Sequence, residues 1–260
     1  MTKGTPVAIA DTETTQWIRR FHPSAASSTR LVCLPHAGGS ASFYYPVSQK
    51  LAPAVDVVAI QYPGRQDRLR DQGVPDIERL ADHIADELAR LTPKPTVLFG
   101  HSMGAAIGFE LALRLERAGA GAVELVASGR RAPSTTRPER VHLLGDDAII
   151  AEMATLNGTS GAVLADEEIL RMSLPALRND YRAIETYRAP ADRRLRTPIT
   201  VLTGDADPKT TMAEAEAWRG HTEGEFRVEV YPGGHFFLAE HQDAVRAQLT
   251  RALAAGRTAV

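Results

Sequence analysis

The chain is poor in cysteine and lysine, and it has no long hydrophobic run. Its single cysteine, Cys33, lies in an apolar stretch, which excludes a disulfide within one chain and a cysteine-based metal site. No apolar run approaches about 18 residues, and no basic segment followed by an apolar one opens the chain, so the sequence predicts neither a membrane span nor a secretory signal. We therefore expect a cytoplasmic protein.

The sequence also lacks a basic tract. Arginines are scattered among acidic residues and the formal net charge is −2, a balance that favours no nucleic-acid partner. Apolar residues make up 43% and charged residues 24%, which is typical of a folded globular chain. At 260 residues, we expect one domain spanning residues 1–260.

Strand-like segments alternate with helical ones along most of the chain. The strand candidates are continuously apolar, as strands covered on both faces must be, and they alternate with amphipathic helices such as Asp76–Leu91. The pattern predicts an α/β fold with a mostly parallel, doubly wound sheet, to which Gln16–Phe21 could add an edge strand. The strand candidates are Arg30–Pro35, Val55–Tyr62, Thr96–Gly100, Val123–Gly129, Ile199–Gly204 and Phe226–Gly234.

One interval of about sixty residues, 132–190, has no strand pattern. The sequence indicates two helices there, each beginning with acidic residues, and Pro175 is expected to kink or split the second. We expect this insertion to form a helical lid over the carboxyl ends of the strands, with additional core helices as the alternative.

Ser102 lies at the junction between a strand and a helix, in Gly100-His-Ser-Met-Gly104. The pattern matches the G-x-S-x-G nucleophile elbow, in which the serine adopts a strained conformation and small residues two positions away avoid a collision. The amide of Met103 then lies at a helix N-terminus, where it can donate to a developing oxyanion. Ser102 is therefore the candidate nucleophile.

A serine nucleophile needs a base and an orienting acid, in the chain order Ser, then Asp or Glu, then His. His235 follows one strand candidate and is the predicted base, while Asp205 and Asp207 follow the preceding strand. We favour Asp207 as the acid because it lies farther past the strand, whereas Asp205 would more naturally tie the loop. His101 is expected in a supporting or surface position.

The loop after the first parallel strand contains His36-Ala37-Gly38-Gly39. The amide of Ala37 is the predicted second oxyanion donor, and the glycines allow close approach. A phosphate-binding loop is the rival interpretation, but neither G-x-x-x-x-G-K nor G-x-G-x-x-G is present there.

Five segments together resemble one known family, the type II thioesterases that accompany polyketide and nonribosomal peptide synthases. The resemblance extends from about Arg30 to Leu238. The segments are LPHAGGSASFYYP (Leu34–Pro46), YPGRQDR (Tyr62–Arg68), FGHSMGA (Phe99–Ala105), GDADP (Gly204–Pro208) and YPGGHFFL (Tyr231–Leu238).

The resemblance implies an α/β-hydrolase fold and a stand-alone enzyme that removes aberrant or stalled acyl groups from the phosphopantetheine arm of acyl or peptidyl carrier proteins. It assigns Ser102, Asp207 and His235 to the catalytic triad, with Ala37 and Met103 as oxyanion donors. It also implies no cofactor and no metal of the enzyme's own, transient carrier-protein partners, no membrane or nucleic-acid partner, and a monomer as the default.

We expect the acyl slot to be lined from the lid and from the first loop, and four arginines to meet acidic carrier proteins at its rim. The slot candidates are Met153, Leu156, Leu170, Met172, Leu174, Leu177 and Tyr181 from the lid, with Phe43, Tyr44 and Tyr45 from the loop. The rim candidates are Arg65, Arg68, Arg130 and Arg131.

Three other functions stay open on the sequence. A general carboxylesterase or lipase would share the triad but prefer oxygen esters. A terminal cyclising thioesterase would share the chemistry, although no carrier domain precedes the motifs. A catalytically silent hydrolase fold could serve as a binding partner, which the complete triad pattern disfavours.

Overall fold

A computed structural model of the chain describes residues 14–157 and 167–257. Seven strands form one sheet in the order β1-β3-β2-β4-β5-β6-β7, in which β1 is antiparallel to β3 and all other neighbours are parallel. The strands are β1 (Ile18–Arg19), β2 (Arg30–Leu34), β3 (Asp56–Ile60), β4 (Thr96–His101), β5 (Glu124–Ser128), β6 (Ile199–Gly204) and β7 (Phe226–Tyr231).

Two hydrophobic cores cover the two faces of the sheet. Alternate residues of β2 enter different cores: Val32 and Leu34 belong to one, and Leu31 and Cys33 to the other. Burial on both faces explains why the strands are apolar without alternation. The predicted doubly wound α/β architecture is therefore confirmed.

Helices α2 and α3 pack in the first core, whereas α1 and α8 pack in the second. Asp76 begins α2 by accepting a hydrogen bond from the Arg79 amide at 2.8 Å, and Gly119 follows α3 in the left-handed region, with φ at 74°. The helices are α1 (Tyr45–Leu51), α2 (Ile77–Leu88), α3 (Met103–Arg117), α4 (Asp146–Asn157), α5 (Glu167–Thr186), α6 (Met212–Glu216), α7 (Phe237–Glu240) and α8 (Gln242–Arg257).

The predicted edge strand is present but shorter than expected. It pairs at only two positions, Ile18 with Ile60 and Arg19 with Ala59. Trp17 and Arg68 lie beside this edge, with the Arg68 guanidinium 4.6 Å from the centroid of the Trp17 ring. Side-chain packing as well as strand pairing therefore attaches the edge segment.

The two helices expected within residues 132–190 are α4 and α5, and no strand lies in the described part of that interval. Pro175 lies inside α5, which continues through it. Residues 158–166 of the expected lid lie outside the described residues. The further prediction of a single domain over residues 1–260 stays a prediction.

No described helix combines the length and the apolar character that a bilayer crossing requires.

Candidate active site

Ser102 lies in the sharp turn between β4 and α3. Its backbone has φ at 53° and ψ at −114°, a conformation that non-glycine residues rarely adopt. A Cβ atom at Gly100 would lie 2.1 Å from the Gly104 carbonyl oxygen, and one at Gly104 would lie 2.0 Å from the Leu34 carbonyl oxygen. Only glycine fits at these two positions, so the steric reason for the motif is present in the fold.

The loops that follow β6 and β7 bring an acid and a histidine together. His235 Nδ1 lies 3.0 Å from each carboxylate oxygen of Asp207, and both side chains are buried. Because a carboxylate only accepts, Nδ1–H donates, and a neutral ring then leaves Nε2 as an acceptor. His235 and Ser102 line the same cleft.

Asp205 has a different position from Asp207. Its carboxylate accepts a hydrogen bond from the Gly233 amide at 2.9 Å and so ties the two loops together. A Cβ at Gly204 would lie 2.4 Å from the Gly233 carbonyl oxygen, so the two loops are in close contact. The structure thus pairs Asp207, and not Asp205, with the histidine.

The two predicted oxyanion donors lie on different sides of Ser102. Met103 is the first residue of α3, where the amides at a helix N-terminus carry partial positive charge. Ala37 lines the cleft from a turn closed by a 3.0 Å hydrogen bond from the Gly39 amide to the His36 carbonyl. Met103 is therefore next to the predicted nucleophile in the chain, and Ala37 lines the same cleft as the nucleophile.

Three histidine rings surround the elbow. The His101 ring centroid lies 5.0 Å from that of His235 and 5.9 Å from that of His36. Burial lowers the pKa of His36 to about 3 and lowers the pKa of His101 well below its usual value, with the positive charge of a protonated neighbour adding to both effects. His36 and His101 thus stay neutral beside Ser102 and His235.

His101 was expected in a supporting or surface position, and the structure shows that it is fully buried. Its Nδ1 lies 3.0 Å from Ser128 Oγ, and its ring fills the space beside Gly129, where a Cβ would lie 2.5 Å from His101 Cε1. The ring therefore packs against Ser128 and Gly129, out of contact with solvent.

An apolar cavity of about 260 Å³ adjoins the cleft, and half of the predicted slot residues line it. His36, Ala37, Gly38, Phe236 and Ala239 complete the wall. The predicted residues found there are Phe43, Met153, Leu156, Leu177 and Tyr181.

Several predicted slot residues lie elsewhere. Met172 is 54% exposed. It precedes Leu177, which faces the cavity, by five residues, and this separation places the two side chains about 140° apart around α5. Tyr44 lines a separate cavity of about 220 Å³, and its hydroxyl donates to the Leu34 carbonyl at 2.8 Å. Tyr45 is 45% exposed, and the side chain of Leu170 lies outside the described residues.

Leu174 is buried in a small cluster with Ile149, Leu177 and Tyr181, and is not among the residues that line the cavity. It packs α5 against the segment that begins α4. The slot prediction is therefore wrong for Met172, Tyr44, Tyr45 and Leu174.

The predicted arginine rim is also wrong, because all four side chains are buried. Arg65 pairs with Asp180 of α5 at 2.7 Å, and Arg68 pairs with Asp71 at 2.7 Å. Arg131 pairs with Glu139. Arg65, Arg68 and Arg131 thus pair with carboxylates of the same chain and are not exposed at a rim.

Arg130 lines the cleft instead of the rim. Burial lowers its pKa to about 9, with the positive charge of Arg131 adding to the effect. Glu139, Glu185 and Lys209 line the same cleft beside Ser102 and His235. The site thus has a charged half next to Ser102 and His235 and an apolar half beside α4 and α5.

Among the described residues, no group of three or more His, Cys, Asp or Glu side chains could hold a metal ion. That the reaction needs no cofactor stays a prediction.

Asp180 is the residue of the site that sequence reasoning missed. It belongs to the lid helix α5, yet its carboxylate accepts from the Gly38 amide in the turn that carries Ala37. The available signal was a lone acidic residue on the otherwise apolar face that carries Leu177, Tyr181 and Ile184, since a charge there requires a buried partner.

The chain is similar to known thioesterases over nearly its whole length. The profile of the Thioesterase domain family matches residues 29–253, a range that includes Ser102, Asp207 and His235. A probable cadicidin biosynthesis thioesterase from Streptomyces griseus is 60% identical over 257 residues, which is 99% of this chain and 71% of that protein. Thioesterase PikA5 from Streptomyces venezuelae is 47% identical over 224 residues, or 85% of this chain and 80% of that protein.

A solved structure is similar to the same extent. The type II thioesterase BorB from the borrelidin biosynthetic cluster superposes with a TM-score of 0.89 at 50% identity, covering 93% of this chain and 99% of that one.

Proposed function

The chain belongs to the thioesterase family, and on that premise we propose that it is a type II thioesterase that hydrolyses acyl thioesters on carrier proteins of a polyketide or nonribosomal peptide pathway. The observation that carries the proposal is one cleft that contains Ser102, His235 and the Ala37 loop, with an apolar cavity of about 260 Å³ beside it. Aberrant or stalled acyl groups on the phosphopantetheine arm are the proposed substrates.

In the first step, Ser102 Oγ attacks the thioester carbonyl carbon while His235 Nε2 takes the hydroxyl proton. The amides of Ala37 and Met103 donate to the oxyanion of the tetrahedral intermediate. The carbon–sulfur bond then breaks, and the pantetheine sulfur leaves with the proton from the imidazolium. The product of this step is an acyl ester on Ser102.

In the second step, His235 removes a proton from water as the water attacks the acyl ester. The intermediate collapses, Ser102 Oγ recovers its proton and the carboxylic acid is released. Asp207 accepts the Nδ1–H bond throughout, which holds the ring orientation and stabilises the imidazolium that forms in each step.

The two halves of the site suit the two halves of the substrate. The apolar cavity would take the acyl chain, since burying each methylene is worth about 0.8 kcal/mol. The polar cleft, with Arg130, Glu139, Glu185 and Lys209, would hydrogen-bond the amides and hydroxyl of the pantetheine arm. A carrier protein would be a transient partner of a monomeric enzyme that needs no cofactor.

The test compares one short acyl group on three leaving groups: a carrier protein, free pantetheine and p-nitrophenol. We expect the highest kcat/KM for the carrier-bound thioester, and we expect Ser102→Ala to lower it by at least about 10⁴-fold, to the residual level of a triad that has lost its nucleophile. Ser24→Ala, which loses only a hydrogen bond to the His22 carbonyl far from the cleft, is the matched control and should keep full activity.

Preference for the p-nitrophenyl ester would replace the proposal with a general esterase on the same fold. Full turnover by Ser102→Ala would show that the nucleophile is wrongly assigned. No turnover of any substrate by the wild type would favour a non-catalytic binding role.

A further inference from the structure

The turn that carries Ala37 is bound to the lid helix by one carboxylate. Gly38 has φ at 74° and the Gly39 amide donates to the His36 carbonyl at 3.0 Å, a combination typical of a type II turn with Ala37 and Gly38 at its centre. The Gly38 amide, in the central peptide of this turn, donates to Asp180 Oδ2 at 2.9 Å. The lid helix α5 therefore holds the peptide next to the proposed oxyanion donor.

Arg65 holds the Asp180 carboxylate in place. Its Nη1 donates to Asp180 Oδ2 at 2.7 Å and its Nη2 donates to Asp180 Oδ1 at 2.9 Å, so the pair is bidentate. The same guanidinium donates to the Gly39 carbonyl at 2.9 Å and twice to the Pro63 carbonyl, which uses all five of its N–H groups. Both Arg65 and Asp180 are buried.

Packing limits the turn from the same direction. A Cβ on Gly38 would lie 2.8 Å from Leu177 Cδ1, so Leu177 and Asp180, three residues apart on α5, contact the turn side by side. The Gly38 and Gly39 backbone thus meets one side chain of α5 by van der Waals contact and another by hydrogen bonding. Little freedom is left for the central peptide to rotate.

Resting on the proposed function, we propose that Asp180 is a positioning residue for thioester hydrolysis: its carboxylate, clamped by Arg65, fixes the Ala37–Gly38 peptide and so aims the Ala37 amide at the oxyanion. The carboxylate favours the orientation in which the Gly38 N–H group points toward it, because rotation of the peptide would instead place the Ala37 carbonyl oxygen against the negative charge. The same contact makes the oxyanion hole depend on the docking of α5.

The test replaces the carboxylate with an isosteric neutral group. Because Arg65 donates to both oxygens of Asp180, either orientation of an asparagine places its NH₂ against an Arg65 N–H group, which breaks the clamp on the Gly38 amide. We expect Asp180→Asn to lower kcat by about 10- to 100-fold with KM within about threefold, since misplacing a group by about 1 Å costs about 100-fold and removing an oxyanion donor costs about 100- to 1,000-fold. A purely structural role predicts a lower melting temperature with kcat per folded molecule unchanged.

An inhibitor pair separates positioning from binding. An alkyl boronic acid forms a tetrahedral adduct with the serine and uses the oxyanion hole, whereas the non-hydrolysable thioether of the same acyl chain on pantetheine binds as the ground state does. Asp180→Asn should weaken the boronic acid by the same factor as kcat and leave the thioether dissociation constant unchanged. Equal weakening of both, or of neither, would overturn the proposal.

The matched control is Asp56→Asn, which disrupts another buried carboxylate, paired with Arg20 and Arg30 at the amino end of β3. It should lower the melting temperature and leave kcat per folded molecule unchanged, and an equal loss of kcat in this variant would refute a specific role for Asp180. Should Asp180→Asn unfold because Arg65 loses its partner, the double variant Arg65→Gln/Asp180→Asn leaves no unpaired charge and should show the same kcat loss.

The outcome also distinguishes the two proposals. Wild-type turnover with an unchanged kcat in Asp180→Asn refutes the positioning role and leaves the thioesterase function intact. If the wild type hydrolyses no thioester, the proposed function fails, and the rate at which a fluorophosphonate labels Ser102 still compares the variants.

Discussion

Replacing Asp207 with asparagine tests the assigned triad most directly. Its Oδ1 accepts from the Lys209 amide at 2.8 Å as well as from His235, so an asparagine will keep its oxygen at that place. The amide NH₂ then occupies the place of Oδ2, 3.0 Å from His235 Nδ1, where it donates to the ring and favours the tautomer with hydrogen on Nε2. That tautomer cannot take the Ser102 proton.

The expected loss follows from this geometry. Asp→Asn in a Ser-His-Asp triad lowers kcat by about 10⁴-fold, and the retained oxygen at Oδ1 can still accept from Nδ1–H in part of the molecules. We therefore expect a fall of about 10³- to 10⁴-fold in kcat, which corresponds to about 4 to 5.4 kcal/mol of transition-state stabilisation.

The assay follows thiol release from a short acyl N-acetylcysteamine thioester, with Ser102→Ala as the background and the melting temperature as a check of folding. Asp205→Asn is the matched control, because an asparagine oxygen can still accept from the Gly233 amide, and its kcat should stay within about threefold of the wild type. A large loss in Asp205→Asn together with more than about one tenth of wild-type activity in Asp207→Asn would refute the assignment.

Two further predictions concern the apolar cavity and the buried histidines. Phe43 and Ala239 line both the cavity of about 260 Å³ and the neighbouring cavity of about 220 Å³, so Phe43→Ala should join the two cavities. The larger space should raise the ratio of kcat/KM for an octanoyl thioester to kcat/KM for a propionyl thioester at least tenfold. An unchanged ratio would contradict this prediction, and Tyr44→Phe is the control. The pKa of His36, about 3 in the folded protein, lies below the value of about 6.5 in an unfolded chain, so the unfolded state binds more protons between these values. The contribution of neutral His36 to stability is complete above about pH 6.5 and is lost as the pH falls, so the free energy of unfolding should fall by up to about 2 kcal/mol between pH 7 and pH 5. Chemical denaturation of His36→Phe should show a free energy of unfolding that depends less on pH over this range than that of the wild type.

Local sterics explain why the elbow could be predicted from the sequence, and sheet topology explains the contact between Asp207 and His235. The collisions that a Cβ would make at Gly100 and Gly104 involve residues close in the chain or on the adjacent strand, and the motif encodes them directly. Asp207 and His235 follow strands β6 and β7, whose carboxyl ends must meet at one edge of a parallel sheet. The architecture could also be predicted, because the apolar runs and their spacing specify buried parallel strands.

The burial of the four arginines that were expected at the rim could not be predicted from the sequence. Arg65 pairs with Asp180, 115 positions away, whereas Arg68 and Arg131 pair with Asp71 and Glu139, three and eight positions away. A sequence shows that an arginine is charged but not which carboxylate the fold brings to it. Buried pairing and surface exposure are therefore indistinguishable at that stage.

The error at Met172 was avoidable. The large buried apolar residues of α5 follow three- and four-residue steps, and Met172 lies off that stripe. They are Leu174, Leu177, Tyr181 and Ile184. Tyr44 is different, since the hydroxyl bond to the Leu34 carbonyl that turns it away from the acyl cavity depends on how the Ala41–Tyr44 turn packs against β2. Helical periodicity could have corrected the first residue but not the second.

The division of the site has a consequence for how its activity can vary. The proposed nucleophile, base and acid come from the sheet and its loops, whereas much of the proposed acyl cavity comes from α4 and α5. Substitutions at Met153 or Leu156 should therefore alter acyl preference with little effect on Ser102, Asp207 and His235. Asp180 is the exception, because it lies on α5 and contacts the turn of the oxyanion donor. A lid helix can therefore diversify around Asp180 while the chemistry is retained, and a change at Asp180 itself should affect catalysis for every acyl group alike.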